Sequence, residues 1–154
     1  MNLIYKKATL EDMELLVKSR IEVLRAANKL TDDVDMTEVE NQSYDYYKQT
    51  LSNGMHTAYL VFDDNRFVGA GGVSYFRVMP TYHNVSGNKA YIMNMYTNPH
   101  YRRKGIAHKT LELLVADAKN KSITTISLEA TDMGRPLCEK FGFVKMSNEM
   151  ILLE

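Results

Sequence analysis

The chain predicts an α/β (α+β) sandwich, with helices on both faces of a mixed sheet and elements in the order β-α-α-β-β-β-α-β-α-β. Three features lead there. Apolar residues recur at helical spacing along Met13–Leu24 and again along Ala107–Ala118. A β-rich block with a hairpin signal lies between them, over Thr57–Tyr75. The strand Ala90–Thr97 then runs through a basic, glycine-bearing loop straight into the second of those helices.

In chain order, Asn2–Ala8 is a short strand candidate. Thr9 and Asp12 have the spacing of a capping box, and the stripe Met13, Leu16, Val17, Ile21, Leu24 carries the first helix to about Ala27. Asn28–Thr37 follows, rich in acid at Asp32, Asp33 and Asp35. Thr37 is placed to cap a second helix through Tyr44, Tyr47 and Leu51, closed by Asn53-Gly54. Thr57–Phe62 and Arg66–Tyr75 are strands joined by Asp63-Asp64-Asn65. Gly69, Gly71 and Gly72 lie inside the second of these, where no helix opens, so they mark a bulge or a close backbone approach and not a dinucleotide fingerprint. Met79–Lys89 is a long connection that is either a substrate wall or a solvent loop. Thr124–Ala130 reads as a β-branched strand, Met133–Phe141 as a short helix stopped at Gly142, and Phe143–Leu153 as a last strand. Nothing in the 154 residues suggests a linker or repeat, and one domain is expected over 1–154.

The segment Tyr91–His108 carries the chemistry. Pro99 has no N–H to donate and biases Asn98 toward extended geometry, so the strand should stop there. Arg102, Arg103, Lys104 and Gly105 follow immediately before the helix. The first turn of a helix offers N–H groups without intrahelical partners and the positive end of the dipole. Cations placed there oppose the dipole, and no acidic residue in the turn compensates them. A strand, such a loop and a helix make an anion site suited to phosphate or pyrophosphate.

Composition narrows the class. Hydrophobic residues make up 45% and charged residues 25%, as in an ordinary globular protein, and the formal net charge of +0 argues against a nucleic-acid partner. No apolar run approaches the length that spans a bilayer, Met1-Asn2-Leu3-Ile4 leads into no signal-peptide core, and the single cysteine excludes an internal disulfide. A cytoplasmic protein is expected. His56, His83, His100 and His108 have no metal-ligand spacing.

Arg102-Arg-Lys-Gly105-Ile-Ala107 resembles the R/Q-x-x-G-x-G/A signature of the GNAT-type N-acetyltransferases, and Met95-Tyr96-Thr97-Asn98-Pro99 resembles that family's preceding strand. A second stretch, Ile126–Phe143, is similar to the family's strand, short helix and L-Y-E-K-x-G-F ending. The resemblance covers about the C-terminal half of the chain. It implies a mostly antiparallel central sheet whose strands splay after the anion loop, and acetyl-CoA as co-substrate with no metal. The activity it implies is transfer of acetyl to a primary amine of a small molecule or peptide by direct attack on the thioester. The alternative is a non-catalytic acyl-CoA binder or sensor. A nucleotide-binding module is a third reading, although G-x-x-x-x-G-K-S/T is missing. A monomer or homodimer is compatible with the sequence, the last strand's edge being a plausible contact.

Carried over residue by residue, the resemblance has the backbone of Met95, Tyr96 and Thr97 hold the pantetheine. The pyrophosphate falls on Arg103, Lys104, Gly105, Ile106 and Ala107 with help from Arg102, and Thr131 touches the cofactor. An N–H near Met95 faces the developing oxyanion. Where relatives often have a tyrosine acid, this chain has Cys138, which is either a proton donor or a small inert residue. Tyr91 occupies the register of a glutamate base found in some relatives and is a poor base at neutral pH. Asn94, an amide in an apolar strand, either orients the acceptor or a base water, or bonds to a neighbouring loop. The three aspartates at 32, 33 and 35 either attract a cationic amine or form a solvated acidic loop.

Overall fold

A computed structural model describes residues 1–154. Strands β1 (Leu3–Lys7), β2 (His56–Asp63), β3 (Arg66–Arg77), β4 (Asn88–Thr97) and β5 (Thr125–Leu128) form one five-stranded sheet in the order β1-β2-β3-β4-β5. The first four are antiparallel neighbours, and β5 joins β4 in parallel. Helices α1 (Met13–Asn28) and α2 (Thr37–Asn53) precede β2, α3 (Ile106–Asn120) crosses from β4 to β5, and α4 (Arg135–Phe141) follows β5.

The period-2 alternation of the strands divides the core. Ala58, Leu60 and Ala70 face α1 and α2, where they meet Leu16, Val17 and Tyr47. Val73, Tyr75, Ala90 and Ile92 face the other way and meet Leu111, Leu114, Val115 and Ala118 of α3, with Phe141 and Phe143 packed at the margin. Helices therefore cover both faces of the mixed sheet, as the element pattern implied. Asp117 on α3 ties the layers together: it accepts from Thr57 Oγ1 at 2.8 Å and from the Tyr75 hydroxyl, and pairs with Lys7 Nζ at 3.1 Å.

The local signals fared well at the helix ends. Thr9 and Asp12 form the capping box, with Thr9 N donating to Asp12 Oδ2 at 2.8 Å, although a 3-10 turn over Leu10–Asp12 comes before α1 proper. Gly54 takes the left-handed position that ends α2. Thr37 does not cap α2; it is the helix's first residue, and Asp35 Oδ1 accepts from both its N–H (2.9 Å) and its hydroxyl (2.6 Å). On α1 the buried residues are Leu16, Val17, Ser19 and Val23, with Ile21 and Leu24 half-buried, so the helix is rotated slightly from the stripe expected.

The last strand is a correction. Phe143–Leu153 forms no strand, and the segment is exposed from Val144 onward, Met150 and Leu152 almost completely. β5 offers four residues for pairing, and Met150-Ile151-Leu152-Leu153 is apolar without alternation, so the segment has no face to commit to the sheet. The sheet thus ends at β5, and the edge contact expected of a last strand has no strand to make it.

The glycines of β3 match the expected close approach. The β3–β4 register shifts between Ala70 and Gly72, and a Cβ on Gly71 would lie 2.6 Å from Thr110 Cγ2 of α3 and 2.8 Å from Met95 Sδ. No helix is long and apolar enough to cross a membrane.

Candidate active site

β4 is longer than its parallel neighbour. The pairing runs Lys89↔Thr125, Ala90↔Ile126, Tyr91↔Ser127 and Ile92↔Leu128, where β5 ends, while β4 continues to Thr97. From Met93 onward the β5 side of β4 has no strand partner, which leaves a row of backbone donors and acceptors unpaired by any strand. Met95, Tyr96 and Thr97 all lie on this stretch. Their side chains are half-buried: Met95 packs against the α3-side core, and Tyr96 stacks on Phe67.

β4 stops at Thr97 as Pro99 required, and the Asn98 side chain accepts from His100 N at 2.9 Å to cap a 3-10 turn over Pro99–Tyr101. The chain then enters α3 through two left-handed residues, Arg103 (φ 61) and Gly105 (φ 83). Gly105 is the residue before the helix, no side chain caps the first turn, and no acidic residue lies in it. A Cβ on Gly105 would meet nothing within 4 Å. Arg102, Arg103 and Lys104 are exposed and none forms a salt bridge, whereas Ile106 is buried as the anchor of the turn and Ala107 is half-buried. The turn therefore combines first-turn N–H groups without a side-chain cap, three full positive charges without a salt bridge, and open space at Gly105.

A cavity of ≈ 270 Å³ opens on the α1–α2 side of β4, lined by Arg20, Tyr46, His56, Ser74, Met93 and Asn94 among others. Met93 and Asn94 are the first β4 residues past the last β5 pair. Asn94 has φ 60 and falls in the irregular part of the β3–β4 register, which turns its side chain toward α1. Arg20 Nη1 donates to Asn94 Oδ1 at 2.9 Å, so the amide's partner is a helix residue lining the cavity. On the opposite wall, His56 Nδ1 lies 3.0 Å from the Tyr46 hydroxyl and 3.1 Å from Ser74 Oγ, and those two hydroxyls are 2.6 Å apart. His56 is 6% exposed and its Nε2 has no partner. Burial lowers its pKa to about 4, with the Arg20 guanidinium adding to the effect, so the ring is neutral at pH 7.

Arg20, Tyr46, His56 and Ser74 were missed from the sequence. The signals were present: Arg20 follows Leu16 by four residues and Val17 by three, on the core side of α1, and His56 shares its strand face with Ala58 and Leu60.

The other expected residues are spread out. Tyr91 is half-buried, and its hydroxyl stays protonated because burial, and then Glu129, raise its pKa. Thr131 Oγ1 accepts from Gly134 N at 3.1 Å and so serves the turn into α4. Cys138 is half-buried in a different cavity of ≈ 560 Å³, lined by Ile126, Leu128, Phe141 and Phe143, to which no β4 or basic-loop residue contributes. Burial raises the thiol's pKa. The acidic residues of the α1–α2 loop do not line the β4 cavity: Asp35 holds α2, and Asp33 accepts from the Thr31 hydroxyl. Met79, Tyr82 and Val85 in the β3–β4 connection are exposed and line neither cavity. No group of three or more His, Cys, Asp or Glu is arranged to hold a metal ion.

The sequence profile of the acetyltransferase (GNAT) family matches residues 24–143. A predicted acetyltransferase from Clostridium acetobutylicum, crystallised with acetyl-CoA, is 31% identical; the match covers 98% of this chain and 96% of that one at a TM-score of 0.88. A GCN5-related N-acetyltransferase from Ralstonia eutropha shares the fold at 20% identity, with 99% of each chain covered and a TM-score of 0.84. An aminoglycoside N-acetyltransferase solved in complex with CoA shares it at 10% identity, with 99% of this chain and 95% of that chain covered and a TM-score of 0.76. No curated protein matches the chain.

Proposed function

Because the chain belongs to the GNAT family of acetyltransferases, we propose that it is an acetyl-CoA-dependent N-acetyltransferase acting on a primary amine of a small molecule or peptide. One observation carries the reading: β5 leaves β4 after Ile92, and the unpaired length of β4 ends at an uncapped, basic helix start. A diphosphate suits the N–H groups of Arg103 to Ala107, with Arg102 and Lys104 adding charge, and Gly105 leaves the room an oxygen needs. A pantetheine arm, which carries amides, suits the free edge at Met95, Tyr96 and Thr97 as an added strand would.

The thioester then arrives beside Asn94, where the β4 cavity opens to the α1–α2 side. Attack is direct. The amine loses a proton to become nucleophilic, its nitrogen bonds to the acetyl carbon, the C–S bond breaks, and the second amine proton balances the departing thiolate. Backbone dipoles near Met95 are fixed before the oxyanion forms, so they stabilise it without reorganising. A covalent acetyl-cysteine has no support, since the Cys138 thiol is held protonated and lies in another cavity. Tyr91 is no base for the same electrostatic reason.

The test is calorimetric titration with acetyl-CoA, followed by release of free thiol across a panel of amines. Binding with amine-dependent thiol release supports the enzyme. Binding without turnover for any amine supports a sensor of the same fold, and no binding ends both readings.

A further inference from the structure

The β4 cavity contains one full charge and nothing to cancel it. Arg20 is half-buried, donates to Asn94 Oδ1 at 2.9 Å and forms no salt bridge, and no carboxylate lines the cavity. A guanidinium has five donors in a planar fork, and Asn94 is the one protein acceptor it meets. The neutral His56, with its unpartnered Nε2, supplies no negative charge either. A partly desolvated cation left without a counter-ion is costly, and a ligand anion removes the cost.

We propose that the acceptor of the transfer is an amine that also carries an anionic group, carboxylate or phosphate, and that Arg20, held in place by Asn94, binds that group as the specificity-determining residue. The proposal rests on the acetyltransferase reading above. The Arg20 fork grips the anion, and the amine nitrogen reaches toward Met93 and Asn94, where the thioester is delivered. The opposite wall of Tyr46, Ser74 and His56 offers hydroxyls and an imidazole to the amine's side of the molecule. A polyamine or other polycation brings a further positive charge against Arg20 in such a cavity and is disfavoured.

The transfer balances as follows: the ammonium gives one proton to solvent, nitrogen bonds to the acetyl carbon as the C–S bond breaks, a second proton goes to the thiolate, and the third stays on the amide nitrogen. The products are an N-acetyl anion, the free thiol and one proton.

The experiment measures kcat/KM by thiol release for matched pairs: amino acids against their carboxamides, O-phosphoethanolamine against ethanolamine, and spermidine as the polycation. The expected result is a preference for the anionic member of at least one pair by roughly 10- to 100-fold, the range of a charge-assisted hydrogen bond. Arg20→Gln should remove the preference through KM, and Arg20→Lys, which keeps the charge without the fork, should keep part of it, while the Kd for acetyl-CoA stays unchanged in both and shows that they are folded. A preference in the carboxylate pair alone, or the phosphate pair alone, supports the proposal and identifies the anion. Equal or better turnover of the uncharged member in both pairs, or of spermidine over every anionic amine, overturns it. So does an Arg20→Gln enzyme that keeps its preference. Acetyl-CoA binding with no amine acetylated overturns the acceptor assignment and leaves thioester binding standing, whereas failure to bind acetyl-CoA removes both.

Discussion

Arg20 and Asn94 lie 74 positions apart in sequence and meet at 2.9 Å, which ties the middle of α1 to the one residue of β4 with a left-handed backbone. A non-glycine residue in that conformation costs about 1–2 kcal/mol, less for asparagine, whose short polar side chain tolerates it. Asn94→Ala should therefore be destabilised by about 1–3 kcal/mol, from strain together with the lost bond. Asn94→Gly loses only the bond and should be the more stable of the two by urea midpoint. A glycine variant no better than alanine would show that φ 60 at this position stores no strain.

His56 makes stability depend on pH. Its pKa falls to about 4 in the folded protein, through burial first and the Arg20 charge second, against about 6.5 in the unfolded chain. Between those values the unfolded chain binds more protons, so this contribution is complete above pH 6.5 and is lost as pH falls toward 4. The loss at pH 4 is on the order of 3 kcal/mol. Urea unfolding at a series of pH values should show that slope, and His56→Gln should flatten it. An unchanged slope in the variant would assign the dependence to other groups.

Two glycines should behave differently when given a methyl group. Gly71→Ala drives a Cβ into Thr110 and Met95 at 2.6 and 2.8 Å, so those side chains must give way, at a cost of about 1–3 kcal/mol in a denaturant titration. Gly105→Ala meets no atom, and its φ of 83 costs about 1 kcal/mol. Its larger effect should be on binding, with the Kd for acetyl-CoA rising at least about tenfold because the phosphate can no longer approach the backbone. Equal damage to stability and no change in Kd would place the diphosphate elsewhere.

Cys138→Ala should keep kcat within about threefold, since a thiol that stays protonated in a separate cavity neither attacks nor needs replacing. A loss of about a hundredfold, the size of a general-acid contribution, would bring the residue into the proton path.

Local physics is legible in one dimension, and that is where the sequence spoke for itself. Capping by Thr9 and Asp12, the Gly54 stop, the break at Pro99 and the basic glycine turn before α3 each depend on neighbours within a few residues. The alternating and helical stripes likewise assign faces before any partner is known. The last strand was misread because an apolar run without alternation promises burial but does not say which edge will accept it.

What only the tertiary structure decided is which polar groups share a cavity. β5 ends after Leu128 while β4 runs on, and that mismatch between strands separated by a helix leaves the far end of β4 without a partner on that side. Arg20, Tyr46, His56, Ser74 and Asn94 come from α1, α2, β2, β3 and β4, so no spacing rule joins them. Their chemistry depends on burial and on the missing counter-charge, both properties of the packed molecule, since water in the unfolded chain would solvate each group separately.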